Sequence, residues 1–451
     1  MRISMIVGLA FFVVVPVLGQ ETGNDLTVVE WAREHAIPLA TPEAGNGFED
    51  LESLRRIVGD ARIVSLGEGT HGTREFFQLK HRFLEFLVEE LGFRVFAIEA
   101  SFPDCEAINA YVQDGVGDPE EALHGQGFWT WDTEEVLALI EWMRAKNAEA
   151  DEPYLRFYGI DMQSSQPALA GALAYVQQHD EELAEALAAD LEPLTRRNIF
   201  ATYAGLEAET KEVLGFGLEA LTAFFDDEKE TLVEDSSLEA WQLARQHAVV
   251  AQQASDLMAG RQVRGGSWRD RCMADNVDWV LEREPAGTRM VLWAHNGHVK
   301  EDGPPKGFSM MGHFLARKHG EHHVAFGFGF HHGSFQAIVR PRPAGDTGPM
   351  LRTFEVGPPR EGSIDAMLGV VDHPIYVLDL RTAPDEGPVA AWLRTRLPWR
   401  TVGATFSLEN EDPYYRPTFL AEEFDALVFV RRTTAARPNP LTRKRYGLDG
   451  R

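Results

Sequence analysis

The 451-residue chain holds only two cysteines, Cys105 and Cys272, and no CxxC pair. That excludes a zinc ribbon and a disulfide-stapled scaffold; the two thiols, far apart in sequence, either pair with each other or stay buried and free. Phosphate-cradling patterns are missing as well. No Walker loop is present and no Gly-x-Gly-x-x-Gly follows a strand, so no nucleotide cofactor is expected. The nucleophile elbow Gly-x-Ser-x-Gly is also absent. In Gly307-Phe308-Ser309-Met310-Met311-Gly312 the second glycine comes one place late, and no clear strand precedes it. Positive charge is scarce: 43 Lys and Arg face 70 Asp and Glu, a net −27 that repels phosphate backbones and argues against a nucleic-acid partner. The longest apolar run, residues 6–17, is too short for a comfortable membrane span.

What is present gives that run a different meaning. Arg2 precedes it and Val17-Leu18-Gly19 follows it, the pattern of a secretory signal over residues 1–19. The mature chain is expected to begin near Gln20, exported to the periplasm or beyond, with no membrane attachment once the signal is removed; a retained N-terminal anchor is the alternative. Arg2 is the only charge in the segment, so its loss moves the net from −27 to −28. A 44% hydrophobic and 10% aromatic content excludes general disorder. The length suits one large domain with an insertion, or two domains.

Four short apolar runs end in acid or imidazole. They are 61–71 (ARIVSLGEGTH), 93–99 (FRVFAIE), 156–161 (RFYGID) and 288–298 (TRMVLWAHNGH). Strands ending this way present chemistry at the rim of an α/β sheet. Glu68, His71, Glu99, Asp161, His295 and His298 are therefore expected around one crevice, although Asp161 alone reads equally as a helix N-cap. The order strand, helix, strand, with helices over 74–91 and 134–147, predicts a mostly parallel sheet flanked by helices. Asp132 with Glu135 reads as a capping box for the second of these helices.

Residues 167–260 change to Ala, Leu and Glu at helical spacing, the mark of an all-helical insertion, or lid, over the carboxyl ends of the strands. The α/β core then comprises 20–166 and 261–432. The acid dense in 180–239 reads as solvated helix faces. Further strands are expected over 323–330, 334–340, 375–380 and 426–431. Residues 433–451, basic and holding Pro438 and Pro440, read as a loose tail.

His295-Asn296-Gly297-His298 looks like half of a metal site, and His322, His323, His331 and His332 invite the same reading. A metal centre would usually show a helical His-Glu-x-x-His or a tighter cluster, so none is expected. Phe128, Trp129 and Trp131, beside Gly125 and Gly127, form either an apolar wall for a bulky substrate or plain core.

SLGEGTHGTREFFQLKHRF, FRVFAIEA, FWTWDTEEVLALIEWMRAKN, RFYGIDMQ, RCMADN and VLWAHNGHV together resemble the erythromycin esterase family, over about residues 56–330. The resemblance implies an α/β core with a helical subdomain over the cleft. It also implies hydrolysis of a macrolide lactone, hence antibiotic resistance, by a water activated without metal. The base it implies is the histidine of Gly-Glu-x-x-His, here His71. Glu68, Glu99, His295 and His298 match motif positions, and Lys80 stands where some members have arginine, keeping the charge but losing a bidentate fork.

On this reading His71 takes a proton from water as it attacks an ester carbonyl, and Glu68 or Glu99 orients the ring. His298, Arg74 or Lys80 faces the developing oxyanion, while Lys80, Trp129, Trp131 and Asp161 contact a small-molecule ester substrate. Arg74 reads equally as a helix-face residue paired with Glu75 or Gln78, and for Lys80 the structural reading is the stronger of the two. Two rivals remain. One is a metal-dependent hydrolase ligated by His71, Glu99, His295 and His298; the other is an exported binding protein without turnover.

Overall fold

The computed structural model describes residues 23–196, 198–263, 266–301, 309–342, 344–407 and 409–449; the signal segment and the start near Gln20 lie outside them. The strands are β1 Ile37–Pro38, β2 Ile63–Leu66, β3 Val95–Ser101, β4 Arg156–Asp161, β5 Met290–Trp293, β6 His323–Val339, β7 Leu351–Val356, β8 Ile375–Asp379, β9 Arg396–Arg400, β10 Thr405–Phe406, β11 Tyr415–Phe419 and β12 Ala426–Thr433. One sheet runs β1-β8-β12-β6-β2-β5-β3-β4, with β7 and β10 also paired to β6; β9 and β11 form a separate antiparallel pair. From β12 to β4 every neighbour is parallel, and β8 and β1 add an antiparallel edge. The fold is the mostly parallel α/β sheet flanked by helices that the sequence pattern implies.

Burial on both faces explains why these strands read as continuous apolar runs. Successive residues alternate between two cores. Val95, Ala97, Met290 and Leu292 pack on one face, and Phe96, Ile98, Val291 and Trp293 on the other. The helix Arg74–Leu91 covers the second face with Phe76, Phe77, Leu79, Phe83, Leu84, Phe86 and Leu87, each burial contributing about 1.5–3 kcal/mol. It stops at Gly92, whose φ of 73° lets its N–H turn back to the Leu87 and Val88 carbonyls.

The chain runs from β2 out to β3 and β4, returns to β5 between β2 and β3, and then crosses β2 to reach β6. That reversal opens a crevice at the carboxyl ends of β2, β5 and β3, where an open α/β sheet binds its ligand. Between β4 and β5, residues 167–260 form helices joined by short turns, chiefly Ser165–His179, Glu181–Asp190, Ala208–Asp227 and Leu238–Met258. These helices pack on one another, on the turn Pro103–Cys105 and on the helix Trp268–Arg283, extending the first core. The start of the first of them, with Gln166 and Ala170, borders a cavity of about 510 Å³ shared with Gln163 and Phe128.

Three sequence expectations change. The strands expected over 323–330 and 334–340 are one strand, β6, which bends at Gly333 (φ 128°): its first half pairs with β2, its second with β7. The cap of helix Glu134–Glu149 is Thr133, whose hydroxyl accepts from Val136 N. Asp132 instead accepts from Asn439 Nδ2 (2.9 Å) and Thr442 Oγ1 (2.6 Å), and Glu135 accepts from Arg437 N.

These contacts overturn the third expectation, the loose tail. Residues 434–446 lace across two helix starts. The Thr434 carbonyl accepts from Arg74 N and the Arg437 carbonyl from Glu134 N, satisfying donors that every helix leaves free in its first turn. The segment then forms the helix Pro440–Tyr446 with Thr442 buried. Cys105 and Cys272 are both buried free thiols.

Candidate active site

Glu68 and His71 sit on the turn that leaves β2. Its glycines are there for want of room. A Cβ at Gly67 would lie 2.2 Å from Asn296 Oδ1, and one at Gly72 would lie 2.2 Å from the Gln336 carbonyl oxygen. Held that tightly, the turn places His71 Nδ1 2.6 Å from Glu68 Oε1. The other carboxylate oxygen accepts from Lys80 Nζ and from Trp293 Nε1, both at 2.8 Å. Glu68 and Lys80 are sealed from solvent, while the His71 side chain keeps 12% of its surface exposed. Burial pushes the Lys80 ammonium down, against the pull of Glu68, to about 8. The Trp293 ring lies 4.2 Å beneath it. Trp131 meets His71 edge-on at 5.6 Å.

A second group stands at the ends of β3, β4 and β5. The irregular pairing of β3 with β4 between Ile98 and Ser101 turns Glu99 toward the crevice. Arg269 joins it to Asp161: Nη2 lies 2.7 Å from both Glu99 Oε1 and Asp161 Oδ2, and Nε lies 3.1 Å from Asp161 Oδ1. His298 stands between Asp270 Oδ1 (2.6 Å from Nδ1) and Glu99 Oε1 (3.2 Å from Nε2). Burial alone would lower the imidazole; Glu99 and Asp270 outweigh both burial and Arg269 and raise it to about 10. His298 is therefore an imidazolium near neutrality. Its 3.0 Å approach to Arg269 Nη1 is a contact between two cations that share Glu99, not a hydrogen bond. Burial would raise Glu99, but His298 and Arg269 hold it well below the usual carboxylate range.

His295 links the groups. Its backbone N–H donates to Glu99 Oε2 at 2.9 Å, its Nδ1 accepts from Gly297 N, and its ring lies 4.8 Å from that of His71. Burial and the neighbouring His71 push it well below the ordinary histidine value, so it stays uncharged.

The structure thus brings Glu68, His71, Glu99, Asp161, His295, His298 and Trp131 together. It treats the other candidates differently. Arg74 lies outside the cluster, 3.3 Å from Glu135, because the first turn of its helix faces the C-terminal segment. Lys80 and Asp161 are buried against Glu68 and Arg269 and present no surface to a substrate. Trp129 is buried as well. Among the described residues, no three His, Cys, Asp or Glu side chains are arranged to hold a metal ion. No helix among them is long and apolar enough to cross a membrane.

Two participants went unread in the sequence, Arg269 and Asp270. A signal existed. Arg269 stands in the first turn of helix Trp268–Arg283, where the helix dipole disfavours a cation.

A carboxylate-held imidazole beside a fixed imidazolium and guanidinium, at the switch point of an α/β sheet, is the equipment of a hydrolase. Residues 88–433 match the erythromycin esterase family, and the chain belongs to it. Relatives span the chain. YbfO of Bacillus subtilis (strain 168) is 27% identical over 440 residues, 90% of each chain, and the erythromycin esterase type II of Escherichia coli is 26% identical over 386 residues, 79% of this chain and 90% of its own. Among solved structures, a succinoglycan biosynthesis protein is 25% identical with a TM-score of 0.77, covering 92% of this chain and 99% of its own. A mutant of the erythromycin esterase EreC, in its open conformation, has a TM-score of 0.65 at 18% identity, covering 88% of this chain and 96% of its own, a likeness of fold.

Proposed function

We propose that this hydrolase cleaves carboxylic esters, with His71 as the general base. The carrying observation is the 2.6 Å Glu68–His71 contact, anchored from behind by Lys80 and Trp293. With Nδ1 engaged by Glu68, Nε2 is the nitrogen left to accept a proton. Water gives it that proton while its oxygen bonds to the ester carbonyl carbon. The resulting oxyanion faces the positive charge of His298 and Arg269, and one such interaction contributes about 3–4 kcal/mol. Collapse breaks the bond to the alcohol oxygen, which takes the proton back from His71, leaving acid and alcohol. Glu68 steadies the imidazolium formed midway. Fixed side-chain cations fill the electrophilic role, so no metal enters the step.

The family and the Escherichia coli relative bring macrolide lactones onto the list of substrates to test, with simple aryl esters beside them. A turnover screen of both, with and without chelator, tests the reading. Hydrolysis of at least one ester that resists chelator is expected. Loss of activity to chelator with recovery on adding a divalent ion would replace it with metal-dependent hydrolysis, and binding without turnover on any ester would make the chain a binding protein. The signal pattern of residues 1–19 supports export as part of the same proposal. N-terminal sequencing of exported protein should begin near Gln20; an intact Met1 on a cytoplasmic product would overturn that.

A further inference from the structure

A pocket of about 290 Å³ lies beside the histidines, between the segment leaving β5 and the β9–β11 pair. His295, Gly297, Met310, Trp399, Thr418 and Phe424 line it. Trp399 and Phe424 meet edge-on at 5.3 Å and give it an apolar wall. Of the charged residues that line it, Lys300 Nζ pairs with Glu423 Oε2 at 3.2 Å, and Arg416 is exposed on the outer side. At Gly297 an added Cβ would meet only the His295 ring and otherwise open space, so the wall nearest the histidines carries no side chain. His295 also packs against His71, which puts the pocket next to the proposed base.

We propose that this pocket receives the apolar half of the ester, a compact aryl or branched aliphatic group. The inference rests on the ester-hydrolase reading and narrows it. Size sets the class. An apolar cavity of about 150 Å³ holds benzene, and this one is roughly twice that. Pockets that enclose a whole drug-sized ligand run from about 300 to 1,000 Å³, so one substituent of a macrolide fits here and its ring does not.

The test uses two series of p-nitrophenyl and alkyl esters, one lengthening the acyl chain, the other the alcohol. In one series kcat/KM should rise about fourfold per methylene, the equivalent of ~0.8 kcal/mol for each buried CH₂, and then fall once the pocket is full. The series that responds identifies the half that enters. Thr418→Trp should flatten that series. Thr401→Phe, on the half-exposed rim of the same pocket, is the second variant should the first fail to fold.

Calorimetry with 4-phenylbutyrate supplies a readout independent of turnover: binding to the wild type, weakened at least tenfold in either variant. Binding that follows this pattern without turnover of any ester would keep the pocket and remove the esterase reading. Flat series, or phenylbutyrate binding that ignores both substitutions, would overturn the pocket and leave the esterase reading standing.

Discussion

Lys80→Met would delete the ammonium 2.8 Å from Glu68 Oε2 while keeping most of the side-chain volume. Both groups are fully buried, so the carboxylate would lose its counter-charge in a place that water does not reach. Breaking a buried pair from one side costs about 3–5 kcal/mol, because the remaining charge is stranded. Glu68→Gln should cost a comparable amount, stranding Lys80 in turn. The double variant removes both charges and should be well short of additive, by about 2 kcal/mol or more. Urea unfolding of the four proteins measures this.

Turnover adds a second readout. Without Lys80, Glu68 loses the partner that fixes its second oxygen, and with it the firm hold on the His71 ring, so Lys80→Met should lose about 10²–10⁴ in turnover near neutrality. Additive unfolding costs, or wild-type turnover in Lys80→Met, would refute the arrangement.

His71→Ala should cut ester turnover by about 10²–10⁴ with little change in unfolding, since it removes a proton acceptor and leaves the Glu68–Lys80 pair intact; near-normal turnover would move the base elsewhere. His298, raised to about 10 in the folded chain, contributes stability that is fully present below about pH 6.5 and is lost as pH rises through 10. Lys80, lowered to about 8, acts oppositely between about pH 8 and its ordinary value, so wild type and Asp270→Asn are compared and the Lys80 contribution cancels. The difference in unfolding free energy should shrink across that alkaline range, and a constant difference would count against the pairing. Asp132→Ala should release the C-terminal segment, costing about 1–3 kcal/mol and speeding amide hydrogen exchange over 434–446; unchanged exchange would show that the segment is held by something else.

The sequence revealed most about whatever is set by a few neighbouring residues. Buried parallel strands are continuous apolar runs, so β2, β3, β4 and β5 were legible, and the helix Arg74–Leu91 could be read to its last residue because Gly92 closes it. Groups at the ends of those strands followed directly. Side-chain direction did not. Arg74 and Lys80 lie six residues apart on one helix, yet one faces the C-terminal segment and the other lies under Glu68. Distant pairing was equally hidden: the docking of residues 434–446 depends on backbone donors more than 300 positions away. The β9–β11 pair, short and holding Pro398 and Pro417, carries no alternating pattern that would betray a strand.

Two histidines within one crevice are given opposite electrostatic surroundings, and this division matters more than either residue alone. His71 touches a single carboxylate, Glu68, whose charge is already answered by Lys80 on its other oxygen. His298 lies between Glu99 and Asp270, and the one guanidinium that opposes it is itself shared with Asp161. Around His298 three carboxylates stand against one arginine, so a positive charge on the ring offsets part of the excess. Around Glu68 the balance is complete without His71, since Lys80 answers the one carboxylate. On the proposed mechanism His295, between the two and uncharged, separates a cation from the imidazole that becomes cationic during the reaction. On the proposed reading, pushing titratable neighbours apart in this way lets one site hold a base and an electrophile at the same pH.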